Sequence, residues 1–168
     1  MNYKGKLIIF LLVLILFEGC SIRYSAVGVD ISPNANTITI KAFQNNAPTV
    51  NLQLSNELTT QLRDKFRSST RLSLLDSRGD LYLEGEITGY NVSSVAVGAD
   101  QATMNRLTIT VRIHFENKFD EKKNKDQSFS RYLDFDATQT LQQVEDGLIT
   151  QICAVLVDDI FMATVGDW

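Results

Sequence analysis

The sequence predicts an α+β domain: two helices packed on one face of a single mixed, mostly antiparallel sheet of four to five strands. Three observations carry this. Leu54, Leu58, Leu62 and Phe66 recur every four residues, and an apolar stripe of helical period runs from Leu141 towards Ile160. Between them lie three long alternating segments, Leu81–Val97, Thr103–Lys118 and Gln127–Asp136. The order is β–α–β–β–β–β–α, which segregates helices and strands into two layers.

The elements follow in order. Residues 1–19 read as a removable signal and not as fold. Lys4 and Lys6 precede the run Leu7–Phe17, whose eleven apolar residues are too few to cross a hydrocarbon core of ~30 Å as a helix. The Gly19-Cys20 junction makes this a lipoprotein signal, with Cys20 acylated as the mature N-terminus, although Glu18 stands where a small residue is usual. One acyl chain anchors only marginally and two or more hold firmly. Ser21 after Cys20 differs from the Asp that retains lipoproteins at the inner membrane, which favours the outer membrane and a periplasmic domain.

Residues 20–35 read as a lipidated tether and 36–168 as the single domain. Asn36–Phe43 alternates as a strand, and QNNAP closes a polar turn at Pro48. A helix is expected over about 50–68, stopped by Ser68-Ser69-Thr70. A short strand Arg71–Leu75 and a turn at Ser77-Arg78-Gly79 follow. Thr140 with Gln143 forms a capping box for the last helix, whose expected core stripe is Leu141, Val144, Leu148, Ile152, Val155, Leu156 and Ile160.

The two sides of the strands differ. Leu107, Ile109, Val111, Ile113 and Phe115 alternate with Thr108, Thr110, Arg112, His114 and Glu116. Leu81, Leu83 and Ile87 oppose Tyr82, Glu84, Glu86, Thr88 and Tyr90, and Phe129, Leu133 and Phe135 oppose Ser130, Tyr132, Asp134 and Asp136. Helices can cover the apolar side, leaving a polar face open. Such a face is either ordinary wet sheet or a wall that docks in a polar cavity or on a glycolipid. Tyr82, Tyr90, Arg112 and Tyr132 are its candidate anchors, because Tyr and Arg dominate interface hot spots.

Composition excludes several classes. Sixteen Lys and Arg against 20 Asp and Glu give a net charge of −4, which disfavours nucleic acid as a partner. Two cysteines preclude a disulfide framework, and Cys153 reads as a buried free thiol. His114 is the single histidine; Asp134 or Glu116 could orient it across strands, but no nucleophile motif accompanies it. Asp158 and Asp159 sit 100° apart on a helix and do not converge. No catalytic residue, metal ligand or cofactor site is assigned. The run Asp120–Asp126 (DEKKNKD) reads as a solvated hairpin tip.

Several stretches carry a resemblance: FQNNAPTV (43–50), LRDKFRSSTRLSLLDSRGDLYLEGEITGY (62–90), RLTITVRIHFENK (106–118), QSFSRYLDFD (127–136), and VEDGLITQI with LVDDIF within 144–161. Together these resemble a divergent branch of the lipopolysaccharide-assembly lipoprotein family, LptE. The resemblance implies a small α/β sandwich that plugs an outer-membrane β-barrel of the LptD type and assists passage of lipopolysaccharide. It further implies basic side chains on glycolipid phosphates. By chemistry alone the candidates are Arg106 and Arg112 on the open face, and Lys122, Lys123 and Lys125 at the hairpin tip. The alternative is a periplasmic structural or chaperone-like lipoprotein of another envelope complex, without glycolipid contact.

Overall fold

A computed structural model describes residues 29–49, 51–97 and 102–166. The signal, Cys20 and the first part of the tether lie outside the described residues. The elements are β1 (Thr37–Ile40), β2 (Gln44–Asn45), α1 (Leu52–Ser69), β3 (Ser73–Leu74), β4 (Leu81–Val97), β5 (Ala102–Asn117), β6 (Lys125–Asp136) and α2 (Leu141–Val165), with a 3₁₀ turn at Glu121–Lys123. The sheet runs β3-β1-β4-β5-β6, and β2 pairs with β4 beyond the end of β1. β1 is parallel to β3 and β4, while β4, β5 and β6 are antiparallel. Both helices lie on one side, as the sequence predicts.

β5 organises the core. Its side chains Leu107, Ile109, Val111, Ile113 and Phe115 are all buried beneath the helices. At roughly 1.5–3 kcal/mol for each fully buried large apolar side chain, this one row contributes on the order of 10 kcal/mol. α1 answers with Leu54, Leu58, Leu62 and Phe66, all fully buried. Its start is fixed by Asn51, whose Oδ1 accepts from Gln53 N at 2.9 Å and Leu54 N at 3.1 Å. α2 opens at Thr140, whose backbone N–H donates to Gln143 Oε1 at 2.9 Å. The helices meet through an edge-to-face pair, Phe66 and Phe161, with centroids 5.1 Å apart.

Four features differ from the sequence reading. The turn QNNAP contains β2, a two-residue strand too short to show any period. Residues 29–35, expected as tether, are tied to the domain. Val29 bridges Gly166, Asp30 N donates to Val165 O at 2.9 Å, and Ala35 is buried. Val155, assigned to the α2 core stripe, is 47% exposed. Successive helical residues diverge by 100°, so Leu156 and Ile152 take the buried face and Val155 swings off it. Finally, β4 carries a bulge: Ile87 pairs with Val111, but the next pair is Gly89 with Thr110, leaving Thr88 extra.

Between β1 and β2 the chain drops into the core, placing Phe43 under α1. Phe43 N donates to Thr59 Oγ1 at 3.1 Å, and Ser55 Oγ donates to Phe43 O. The ring lies directly over Gly85 of β4. A Cβ there would stand 2.4 Å from Phe43 Cε1 and 2.6 Å from the Arg112 carbonyl oxygen, so only glycine fits. Cys153 is fully buried in α2, and burial pushes its thiol up to about 12, with the charge of Glu57 adding to the effect. It is a packing residue without nucleophilic character.

Gly85→Ala should therefore destabilise the domain by about 2–3 kcal/mol, because overpacking against a backbone carbonyl cannot relax by rotamer change. Urea unfolding reads this as a lower midpoint with an unchanged slope. A midpoint within error of wild type would show that Phe43 does not occupy that space.

Candidate functional site

The open face is built on three antiparallel strands, with one bulge in β4. Even-numbered residues of β5, and those of β4 before its bulge, project away from the helices because their neighbours are buried, and the register carries the even-numbered residues of β6 to the same side. Register sets the cross-strand partners: Arg106 opposite Asp134, Thr108 opposite Tyr132, Thr110 opposite Ser130, and Glu86 opposite Arg112.

These pairings satisfy most of the charge. Arg106 makes a bidentate pair with Asp134, at 2.7 Å from Nε and 2.9 Å from Nη2. The guanidinium holds the Asp134 carboxyl below the usual carboxylate range. The guanidinium carbon also lies 3.7 Å from the centroid of the Tyr132 ring. Thr110 Oγ1 and Ser130 Oγ are 3.0 Å apart. Arg112 is looser, with Nη1 3.5 Å from Glu86 Oε1, and is exposed. Tyr82 donates to Glu84 at 2.7 Å, a bond that raises its phenol, and Arg78 stacks on its ring at 5.0 Å. A shallow depression of about 610 Å³ runs beside Arg112, lined by Lys41, Gln44, Tyr82, Glu84, Glu86 and His114.

The structure thus brings Tyr82, Arg106, Arg112 and Tyr132 to one face, with Tyr132 53% exposed. It removes Tyr90 from that face. The bulge at Thr88 inverts the alternation of β4, so Tyr90 stands beside Ile109 on the helix side and is 6% exposed. Its hydroxyl donates to Glu145 of α2, whose Oε1 also accepts from Asn51 Nδ2 at 2.9 Å. Burial, then this carboxylate, push the phenol upward, and it stays protonated. Tyr90 is a strut joining β4, α2 and the cap of α1. The glycines at 85 and 89, isolated within a strand pattern, were the signal for irregularity.

The hairpin-tip lysines also separate. Lys122 is exposed on the 3₁₀ turn. Lys123 pairs with Asp30. Lys125 Nζ donates to Ala163 O at 2.7 Å, near the carbonyl end of α2, where a cation is favoured. These two fasten the domain's first residues and its last helix. His114 lies 2.8 Å from Asp126 and 3.1 Å from Glu116; its cross-strand carboxylate is Asp126, not Asp134. Asp134 is committed to Arg106. Asp158 pairs with Lys65 and Asp159 with Arg131. Among the described residues, no group of three or more His, Cys, Asp or Glu is placed to hold a metal ion.

Comparison with known proteins adds the following. A family model described as LptE, lipopolysaccharide-assembly, matches residues 35–164. Among solved structures, the chain is similar to a minor lipoprotein of Acinetobacter baumannii, at 15% identity and TM-score 0.52, covering 79% of this chain and 97% of that one. It is also similar to a hypothetical protein of Chlamydia trachomatis, at 7% identity and TM-score 0.53, covering 77% and 98%. At such identities these likenesses speak to the fold alone. No curated protein matches.

The two tyrosine environments separate experimentally. Tyr90→Phe leaves the Glu145 carboxylate one donor short inside the fold and should cost about 1–2 kcal/mol of stability. Tyr132→Phe, on the exposed face, should stay within about ±0.5 kcal/mol. Equal effects in urea unfolding would contradict the placement of Tyr90.

Proposed function

Because the chain belongs to the lipopolysaccharide-assembly family LptE, we propose that it is an outer-membrane lipoprotein that plugs an LptD-type β-barrel. The coarser statement follows from membership: this is a cell-envelope lipoprotein acting in lipopolysaccharide assembly, in a family that works without catalysis. The finer reading rests on one observation, the uncovered face of β4, β5 and β6. A barrel lumen is polar, so a plug needs a wall that is polar. Arg106–Asp134 and Arg112–Glu86 pair part of the charge on this face. Tyr132 and Tyr82 supply contact area with polar tips.

The same face meets lipopolysaccharide through Arg112, whose long ion pair leaves it more available than Arg106. Lys122 is the second candidate, at the tip. Cys20 carries the acyl chains that hold the protein at the periplasmic side of the outer membrane. No nucleic acid is involved.

Tyr132→Ala and Arg112→Glu should weaken association with the barrel by at least ~2 kcal/mol each, about thirtyfold, while barely changing the melting transition. Affinity capture from detergent-solubilised membranes, with mass identification of the barrel, measures this. Full recovery of the barrel by both variants would return the face to ordinary wet sheet. Capture of a different envelope complex would favour the structural or chaperone-like alternative.

The anchor is tested by intact mass. Mature wild-type protein should begin at Cys20 and carry diacylglycerol, and Cys20→Ala should remain unprocessed or unacylated. A mature wild-type mass without acyl chains would contradict the assignment.

A further inference from the structure

The start of the described chain is fixed at one end of the domain. Val29 bridges Gly166, Asp30 N donates to Val165 O at 2.9 Å, and Lys123 pairs with Asp30. This joins the chain's entry, the end of α2 and the β5–β6 connection in one cluster. From Cys20 to Val29 there are nine Cα–Cα steps, which span at most roughly 30 Å when fully extended. β5 alone has 16 residues and runs roughly 54 Å. A tether anchored in a bilayer can therefore bring the β5–β6 connection to the headgroups. With the strands standing along the membrane normal, it cannot do so for the opposite end of the β4–β5 hairpin.

The side chains at this end suit such a surface. Phe119 is 42% exposed at the start of the connection. Lys118 Nζ sits 6.0 Å from the Phe119 ring centroid, and Lys122 is exposed on the following turn. The acidic neighbours are partly spent within the fold. Asp120 caps the turn by accepting from Lys122 N at 3.1 Å, and Asp30 is neutralised by Lys123; Glu121 alone points outward uncommitted among the turn's carboxylates. Aromatics flanked by lysines are the side chains that settle at a membrane–water interface.

We propose that this end of the domain is a membrane-docking surface for anionic phospholipid in the leaflet that holds the anchor. Phe119 enters the headgroup region, and Lys118 and Lys122 meet lipid phosphates. The proposal rests on the reading that the chain is tethered through Cys20. It is separate from glycolipid binding on the open face, and it sets the domain's orientation on the leaflet.

The test supplies the anchor chemically, so that it does not depend on acylation in the cell. The described core lies within residues 35–165, so the chain from Cys20 onward keeps the fold. Cys20 is coupled to a maleimide lipid in vesicles of phosphatidylethanolamine and phosphatidylglycerol free of lipopolysaccharide; buried Cys153 does not compete. In a Trp168→Phe background, Phe119→Trp reports contact with brominated phospholipid, and Val92→Trp reports the distant hairpin arm. The expected result is at least twofold stronger quenching at position 119 than at 92, lost when Lys118 and Lys122 are both changed to Glu. Equal quenching at the two positions, quenching insensitive to the lysines, or quenching that needs added lipopolysaccharide would each overturn the proposal. Absence of acyl chains on cellular protein would instead overturn the anchor assignment and leave this result standing.

Discussion

One row of side chains governs the molecule. Leu107, Ile109, Val111, Ile113 and Phe115 are all buried under α1 and α2. A strand alternates with a period of two, so this burial forces Arg106, Thr108, Thr110, Arg112, His114 and Glu116 onto the other side. A slip of one residue would exchange the two sets, burying three charged side chains and exposing five large apolar ones. The register of β5, held by pairing with β4 and β6, therefore fixes the core and the open face together. The polar face is the obligatory reverse of the hydrophobic one.

The bulge at Thr88 limits how far that face extends. Below it, Tyr82, Glu84 and Glu86 share the open side with β5; above it, β4 turns the opposite set outward. The inversion carries Tyr90 inward to Glu145, and Glu145 to Asn51, so a single hydrogen-bonded chain links β4, α2 and the cap of α1. The bulge thus converts a candidate surface residue into the joint between layers.

Both helices, the three long strands and the two-faced sheet were legible in the sequence, because their periods run over many residues and their caps are local. What escaped was either too short or too distant. β2 has two residues and no period. Tyr90 followed a bulge that alternation cannot reveal, although Gly85 and Gly89 marked the strand as irregular. Lys123 and Lys125 looked like free charge in a polar run. Their partners, Asp30 and Ala163, are 93 and 38 residues away. The open face was legible as a set of residue types, whereas its ion pairs, Arg106–Asp134 and Arg112–Glu86, needed the register.

The family supplies the role in lipopolysaccharide assembly, and the proposed contact surface is the uncovered face of the sheet. A rigid, charge-paired face suits contact with another polar surface, while the outer sides of α1 and α2 remain the competing candidates. Site-specific photocrosslinking in living cells tests this most directly, with the probe placed at Thr110 or Tyr132 on the open face and at Gln151 or Val155 on the outer side of α2. The account predicts that the open-face probes capture one large outer-membrane β-barrel protein and the α2 probes capture it weakly or not at all. Strong capture from α2 with none from Thr110 or Tyr132 would contradict it.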